Sequence, residues 1–317
     1  MPASPTSNVQ SQARETLLFP SGNDHCEAWL YRPEGLRPGQ RAPIVVMAHG
    51  LGGIKQLRLA AFAERFCAAG YLCLVFDYRY FGGSTGTPRE LLDIPSQLAD
   101  WRAAVAHARS LPEADPERVV VWGTSFGGGH SLVTAADDAR IAAAISQCPF
   151  TDGIASSLAM SPFTSAKLAV LAARDLVAKW QGGGPVRVKV AGETTETALM
   201  TAHDALPGFH ALLAASGLSD ADIRAYERVP ARIALQIPWH RPGLRAKDVG
   251  CPILFCVCEN DSVAPPKPTL RHAAKAPKGE IKIYPEGHFE IYLGEPFERV
   301  IADQIAFLQR HVPPALA

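Results

Sequence analysis

Residues 118–136 read RVVVWGTSFGGGHSLVTAA, and this stretch decides the fold. The run RVVVW predicts a buried strand, because its apolar residues follow one another without polar alternation. A G-x-S-x-G motif follows at residues 123–127, and the residues after it predict a helix from Ser125 to Ala136. A strand that turns sharply into a helix exposes the serine between them at the carboxyl end of the strand. The stretch therefore predicts an α/β protein with Ser125 as a nucleophile.

A second G-x-S-x-G motif, at residues 82–86, lacks this setting. Five residues separate it from the preceding predicted strand, and Thr87 and Pro88 follow it, so that no helix begins there. We interpret Ser84 as a residue of a turn.

Strands and helices alternate on both sides of the deciding stretch. Continuous apolar strands separated by helical patterns are typical of a parallel sheet covered by helices on both faces. The predicted strands are 16–19, 26–31, 42–47, 71–76, 118–122, 141–146, 252–257 and 280–284, and the predicted helices are 56–69, 90–110, 125–136, 267–276 and 296–311.

The alternation stops between residues 149 and 250. A connection of this length rarely lacks structure of its own, so we expect an inserted, mainly helical cap over residues 149–250. Helical patterns occupy 165–180 and 220–228, and residues 186–190 alternate like a strand. We expect the α/β core to comprise residues 16–148 and 251–317, preceded by a flexible tail over residues 1–15.

A serine becomes a nucleophile when a neighbouring base takes its proton. His288 lies in a glycine-containing loop just after the last predicted strand, and hence at the same sheet edge as Ser125. We expect His288 to be the base, since His107 and His130 lie within predicted helices and His203, His210 and His240 lie in the insertion.

The base in turn needs an acid that orients its ring and stabilises its positive charge. Asp261 follows the predicted strand 252–257 at the same sheet edge, and we expect it to be this acid. Glu259 and Asp152 are the alternatives, although Asp152 also fits the N-cap of the first helix of the insertion.

A tetrahedral intermediate needs two hydrogen-bond donors for its oxyanion. The backbone N–H of Phe126 follows the nucleophile directly and is one candidate. The sequence HGLGG at residues 49–53 follows a predicted strand, and its glycines allow the N–H of Leu51 to point into the site. We interpret His49 as a structural residue of that loop.

Five segments in this order carry a family resemblance: HGLGG, DYRYFGGS (77–84), GTSFGG (123–128), ENDSVAPP (259–266) and EGHFEIY (286–292). Together they resemble the α/β-hydrolase superfamily, and within it the capped, esterase-like members near the dienelactone-hydrolase and polyketide-transferase groups. A serine at position 125 departs from dienelactone hydrolases, which use cysteine, and from haloalkane dehalogenases and epoxide hydrolases, which use aspartate.

The resemblance and the predicted triad imply hydrolysis of carboxylic esters through an acyl-enzyme, without metal or cofactor. An acyltransferase like the polyketide transferases, or a peptidase or lactonase, would use the same residues. A non-catalytic binding protein on this fold is a further alternative, but all three triad members are present. We expect Phe150 and Trp239 to bind substrate. Four more aromatic residues of the insertion are candidates for the same wall: Phe163, Trp180, Phe209 and Tyr226.

The amino-acid composition limits the kinds of partner that the protein can bind. The 317 residues include 31 basic and 31 acidic side chains, and 47% are hydrophobic, which excludes disorder for most of the chain. Zero net charge argues against nucleic acid and against an anionic membrane as partners, and no apolar run reaches the length of a stable membrane insertion. We expect a cytoplasmic protein that binds a small ester or acyl substrate. Seven cysteines without a metal-site spacing fit buried thiols in a reducing compartment, and a homo-oligomer is compatible with the sequence.

Overall fold

A computed structural model describes residues 14–219, 224 and 226–314. The strands are β1 (Arg14–Ser21), β2 (Asp24–Tyr31), β3 (Ala42–Ala48), β4 (Leu72–Phe76), β5 (Ala114–Thr124), β6 (Ile141–Gln147), β7 (Arg187–Ala191), β8 (Ala198–Met200), β9 (Arg228–Pro230), β10 (Ile253–Cys258) and β11 (Gly279–Tyr284). The α-helices are α1 (Leu59–Ala68), α2 (Ile94–Ser110), α3 (Phe126–Asp137), α4 (Gly153–Ala159), α5 (Pro162–Trp180), α6 (Ala205–Ala214), α7 (Pro266–Ala273) and α8 (Gly294–His311).

Eight strands form one sheet in the order β1-β2-β4-β3-β5-β6-β10-β11. β2 pairs antiparallel with both β1 and β4, and the six strands from β4 to β11 all run parallel. This arrangement confirms the predicted sheet. β5, which ends just before Ser125, lies near its centre.

Helices cover both faces of the sheet, and its central strands are therefore buried on both faces. Every residue of β3, β4 and β10 is buried. On one face Trp101 of α2 packs edge-on against Phe76, with ring centroids 5.3 Å apart. On the other face Phe62 of α1 contacts Trp122 at 5.0 Å and Phe297 of α8 at 4.8 Å.

Two helices begin later than predicted. α2 begins at Ile94 rather than near residue 90, because the Asp93 side chain caps it by accepting the N–H of Ser96. α1 begins at Leu59 because Arg58 adopts a left-handed backbone conformation with φ of 65°.

The insertion, residues 149–250, lies between β6 and β10 and contains more strand than predicted. Besides α4, α5, α6 and three short 3₁₀ helices, it holds a three-stranded sheet in the order β8-β7-β9. The helix predicted over 220–228 falls mostly outside the described residues, as does the tail predicted over 1–15, whose last two residues belong to β1. The division of the chain into a core and a cap stays a prediction.

Among the described residues, no single helix has both the length and the apolar composition to span a bilayer. α4 and α5 have this length and composition only when they are taken together, and the pair is bent by 119°.

Candidate active site

The turn between β5 and α3 holds Ser125 in an unusual backbone conformation, with φ of 55° and ψ of −120°. The flanking glycines make the turn possible because there is no room for a side chain at either. A Cβ atom on Gly123 would lie 2.0 Å from the carbonyl oxygen of Gly127, and one on Gly127 would lie 2.4 Å from that of His49. The chain thus presents the Ser125 hydroxyl at the carboxyl edge of the sheet.

The structure brings the three predicted triad residues together. His288 Nε2 lies 2.9 Å from Ser125 Oγ, and His288 Nδ1 lies 2.7 Å from Asp261 Oδ2. The imidazole is buried, and the second oxygen of Asp261 accepts the backbone N–H groups of Val263 (2.9 Å) and Ala264 (2.6 Å). One carboxylate oxygen is therefore fixed by the backbone while the other orients the ring.

Backbone hydrogen bonds join the loop that carries the acid to the loop that carries the base. The N–H of Glu259 donates to the carbonyl of Tyr284 at 2.7 Å, and the side chain of Asn260 donates to the carbonyl of Pro285 at 2.8 Å. Both loops follow parallel neighbouring strands, β10 and β11, which explains why residues far apart in sequence meet.

The two alternative acids lie elsewhere. Glu259 is exposed and its side chain does not contact His288 in the described structure. Asp152 caps α4 by accepting the N–H groups of Ile154 and Ala155 and also accepts a hydrogen bond from Arg241 at 3.0 Å. The N-cap prediction for Asp152 therefore agrees with the geometry.

The predicted oxyanion loop passes directly beside the nucleophile. A Cβ atom on Gly50 would lie 2.8 Å from the Cβ of Ser125. Within the described chain, the Leu51 N–H donates to no backbone or side-chain acceptor. Phe126 is the first residue of α3, where an N–H has no partner within the helix. Within the described residues, neither of the two predicted donors is thus engaged in another hydrogen bond.

A buried charge cluster of Lys55, Asp77 and Glu27 anchors this loop. Lys55 Nζ lies 2.5 Å from Asp77 Oδ2 and 2.7 Å from Glu27 Oε1, and the Lys55 N–H donates to Asp77 Oδ1 at 2.6 Å. Lys55 and Asp77 are both fully buried. Ser84 belongs to the same support, since its hydroxyl donates to the carbonyl of Asp77 and accepts the N–H of Glu27. Sequence reasoning missed Lys55, because a lysine in a loop is ordinarily exposed.

A cavity of about 500 Å³ opens onto Ser125. All of the predicted oxyanion and substrate-binding residues line it, namely Leu51, Phe126, Phe150 and Trp239. No charged side chain lines it among the described residues. The expectation that Phe163 and Trp180 form a wall is wrong: they are 69% and 86% exposed on the outer face of α5, because that helix buries its opposite face.

A second, smaller cavity of about 40 Å³ is also lined by Ser125. Phe209, Leu212 and His288 line it, whereas His288 does not line the larger cavity. Tyr226, the remaining aromatic candidate, lines neither cavity and packs against the hydrophobic core. The contributions of Leu212 and of Met200, which lines both cavities, carried no signal in the sequence.

The buried His130 and the half-buried His240 pack near the ring of Phe126. The ring of His130 lies 4.9 Å from that of Phe126 and 5.2 Å from that of His240, which belongs to the insertion. Burial lowers the pKa of His240 to about 4 and the pKa of His130 well below its usual value. Within the described chain, His130 Nδ1 and His240 Nε2 have no hydrogen-bond partner. Both rings are therefore neutral packing groups at neutral pH.

No group of three or more residues able to hold a metal ion occurs in the described part of the chain.

Comparison with known proteins gives one family. Residues 43–295 match the family model described as the alpha/beta hydrolase fold. The quorum-quenching protein AidA of Acinetobacter baumannii is 56% identical over 96% of this chain and 98% of its own length. The polyketide transferase ATR5 of Stachybotrys chlorohalonatus is 30% identical over 89% of this chain and 92% of its own. The crystal structure of the alpha/beta hydrolase GrgF from a Penicillium species superposes with a TM-score of 0.78 at 23% identity, covering 94% of this chain and 99% of that one.

We predict that Lys55→Met lowers the free energy of unfolding by about 3–5 kcal/mol, because it leaves the Asp77 carboxylate buried without its cation. The double variant Lys55→Met/Asp77→Asn should recover part of the loss, since it removes the uncompensated charge. Urea denaturation measures both. Lys189→Met, which breaks a part-exposed pair with Glu196, is the control and should change stability by less than about 1 kcal/mol. Equal effects of the two single variants would contradict the role of the cluster.

We also predict that His240 makes the fold less stable in acid. Below pH 6.5 the unfolded chain protonates this histidine, whereas the folded protein resists protonation down to about pH 4. The free energy of unfolding should therefore fall across this window by at most about 3 kcal/mol through His240. Replacing His240 by Phe should flatten the pH dependence, as measured by denaturation at pH 4.5 and 7. The exposed His210 gives the control His210→Phe, and the prediction fails if both variants keep the wild-type slope.

Proposed function

Because the chain belongs to the alpha/beta hydrolase fold family, we propose that it is a serine hydrolase that cleaves carboxylic esters through an acyl-enzyme. The observation that carries this proposal is the hydrogen-bonded series Ser125–His288–Asp261, whose serine lines a large uncharged cavity. A serine, a base and an orienting acid are the groups that nucleophilic acyl chemistry requires.

The first half of the reaction forms the acyl-enzyme. Ser125 Oγ attacks the ester carbonyl carbon while its proton passes to His288 Nε2. The carbonyl oxygen becomes an oxyanion that the N–H groups of Leu51 and Phe126 stabilise. The bond to the alkoxy oxygen then breaks, and His288 gives that oxygen the proton, so that a neutral alcohol leaves.

The second half releases the acid. A water molecule gives a proton to His288 Nε2 as its oxygen attacks the acyl carbon. The same two N–H groups stabilise the second oxyanion, and the proton returns to Ser125 Oγ as the ester bond to the enzyme breaks. Asp261 stabilises the imidazolium in both halves through Nδ1, without taking the proton itself.

The lining of the large cavity supports an uncharged acyl group. An ionised group placed there would lose hydration without gaining a charged partner, which is strongly unfavourable. A mainly apolar wall formed by residues such as Phe150, Leu168 and Met200 favours burial of an acyl chain instead.

A second candidate is an acyl transfer or a lactone cleavage with the same residues. The polyketide transferase among the relatives favours transfer. The quorum-quenching relative, at 56% identity over nearly the whole chain, favours removal of a small signalling molecule, for which opening a cyclic ester is one chemistry this site supports.

We predict that Ser125→Ala lowers kcat/KM on a p-nitrophenyl ester by at least about 10³-fold, because the attacking oxygen is lost. A fluorophosphonate should label the wild-type protein at Ser125, as located by mass spectrometry. Ser84→Ala is the matched control from the second G-x-S-x-G motif and should still be labelled, since the hydroxyl it removes binds the Asp77 carbonyl and the Glu27 N–H and, among the described residues, forms no hydrogen bond to a histidine. Retention of activity or labelling in Ser125→Ala would refute the proposal.

The fate of the acyl group separates hydrolysis from transfer. With an alkyl ester and an added primary alcohol, amine or thiol at millimolar concentration, a hydrolase should release mainly the free acid. Mass spectrometry of the products measures the partition. Predominance of the acylated acceptor over the acid would favour the transferase instead.

A further inference from the structure

The two cavities that meet at Ser125 differ in one decisive respect: His288 lines the smaller and not the larger. We propose that the smaller cavity receives the leaving group of the substrate and the larger one its acyl group. The enzyme would then prefer esters that join a sizeable neutral acyl group to a small alcohol. This inference rests on the proposed function, since it assigns the two sides of the bond that Ser125 cleaves.

Proton transfer from His288 determines which of the two cavities receives the leaving group. The leaving oxygen must come within hydrogen-bonding reach of the protonated His288 Nε2 when its bond breaks. His288 and its neighbour Phe289 form one wall of the smaller cavity, so a group attached to that oxygen enters it directly. The acyl group departs from the same carbon in another direction, where the larger cavity begins at Phe126 and Phe150.

The volumes of the two cavities determine how large the acyl group and the leaving group can be. About 500 Å³ is available on the acyl side, against about 40 Å³ beside His288. A buried water needs about 10–15 Å³ on this measure, so the smaller cavity holds only about three groups of that size. Ethanol fits this space, whereas a benzyl or octyl alcohol requires the wall to move.

Away from the triad, the wall of the smaller cavity is mainly apolar, and its apolar residues are buried. Phe209 and Leu212 of α6 close it, with exposed fractions of 4% and 6%, and Leu57 and Leu59 lie opposite. Leu51 and Met200 line both cavities and thus separate them. Expansion against such packing is costly, so the size limit should appear in the rate.

The acyl side also offers hydrogen bonds. Ser156, Ser157, Ser161 and Ser165 line one wall of the larger cavity, and no side-chain hydrogen bond involves them within the described residues. These hydroxyl groups suit an acyl chain that carries an uncharged polar group, such as a hydroxyl, ketone or amide.

The test uses two series of esters with the wild-type protein. Along methyl, ethyl, butyl and benzyl octanoate, kcat/KM should fall at least about 10-fold from ethyl to benzyl. Along ethyl acetate, butyrate, octanoate and 3-hydroxyoctanoate, kcat/KM should rise. Leu212→Ala enlarges the smaller cavity and should raise the benzyl-to-ethyl ratio at least about 10-fold without changing the order of the acyl series.

Leu213→Ala is the matched control, because Leu213 is the next residue of α6, is also buried and lines neither cavity. It should leave the benzyl-to-ethyl ratio unchanged. Esters of long alcohols with short acids that react faster than ethyl octanoate, or an equal response of both leucine variants, would overturn the assignment while the serine hydrolase stands. Absence of turnover in both series together with absence of fluorophosphonate labelling would instead refute the proposed function itself.

Discussion

The backbone conformation of Ser125 is the constraint on which the site depends. A φ of 55° is unfavourable by about 1–3 kcal/mol for a residue with a side chain, and it persists only where the surroundings allow no alternative. Here the Ser125 N–H donates to Gln147 at the end of β6, and the Ser125 carbonyl accepts the N–H of Phe150. The end of β6 therefore holds the Ser125 N–H and the first residues of the insertion hold its carbonyl, so the position of the nucleophile depends on both.

The loop that carries the Leu51 N–H is held in a different way, by a buried ion pair. Lys55 and Asp77 have no access to water, so each needs the other to offset its lost hydration. Because the Lys55 N–H also donates to Asp77, the cluster fixes the main chain that follows Leu51 as well as the side chains. Glycines bend this loop toward Ser125, and the ion pair keeps it there.

The sheet and the triad could be predicted because the apolar runs in the sequence mark the strands and the parallel topology determines where the loops after them lie. Strands such as β5 and β10 are continuous apolar runs, and parallel strands bring residues after their carboxyl ends to one edge, which places Ser125, Asp261 and His288 together. The insertion could not be predicted in the same way. Its helices carry apolar residues on more than one face, so sequence did not reveal that Trp180 is exposed or that Leu212 closes a cavity. Lys55 was missed because its partners lie 22 and 28 positions away.

The path of the chain through the insertion brings its first and last segments together. β6 and β10 are parallel neighbours and Ile253 pairs with Ala144, so the chain that leaves the sheet after Gln147 rejoins it about three residues back along the strand direction, roughly 10 Å away. The insertion thus stands in place of an ordinary crossover connection. Within it, the N–H of Gly153 donates to the carbonyl of His240 and the N–H of Gly243 donates to the carbonyl of Thr151, both at 2.9 Å. The chain therefore enters and leaves the segment 154–239, which supplies most of the lining of the larger cavity, at one place.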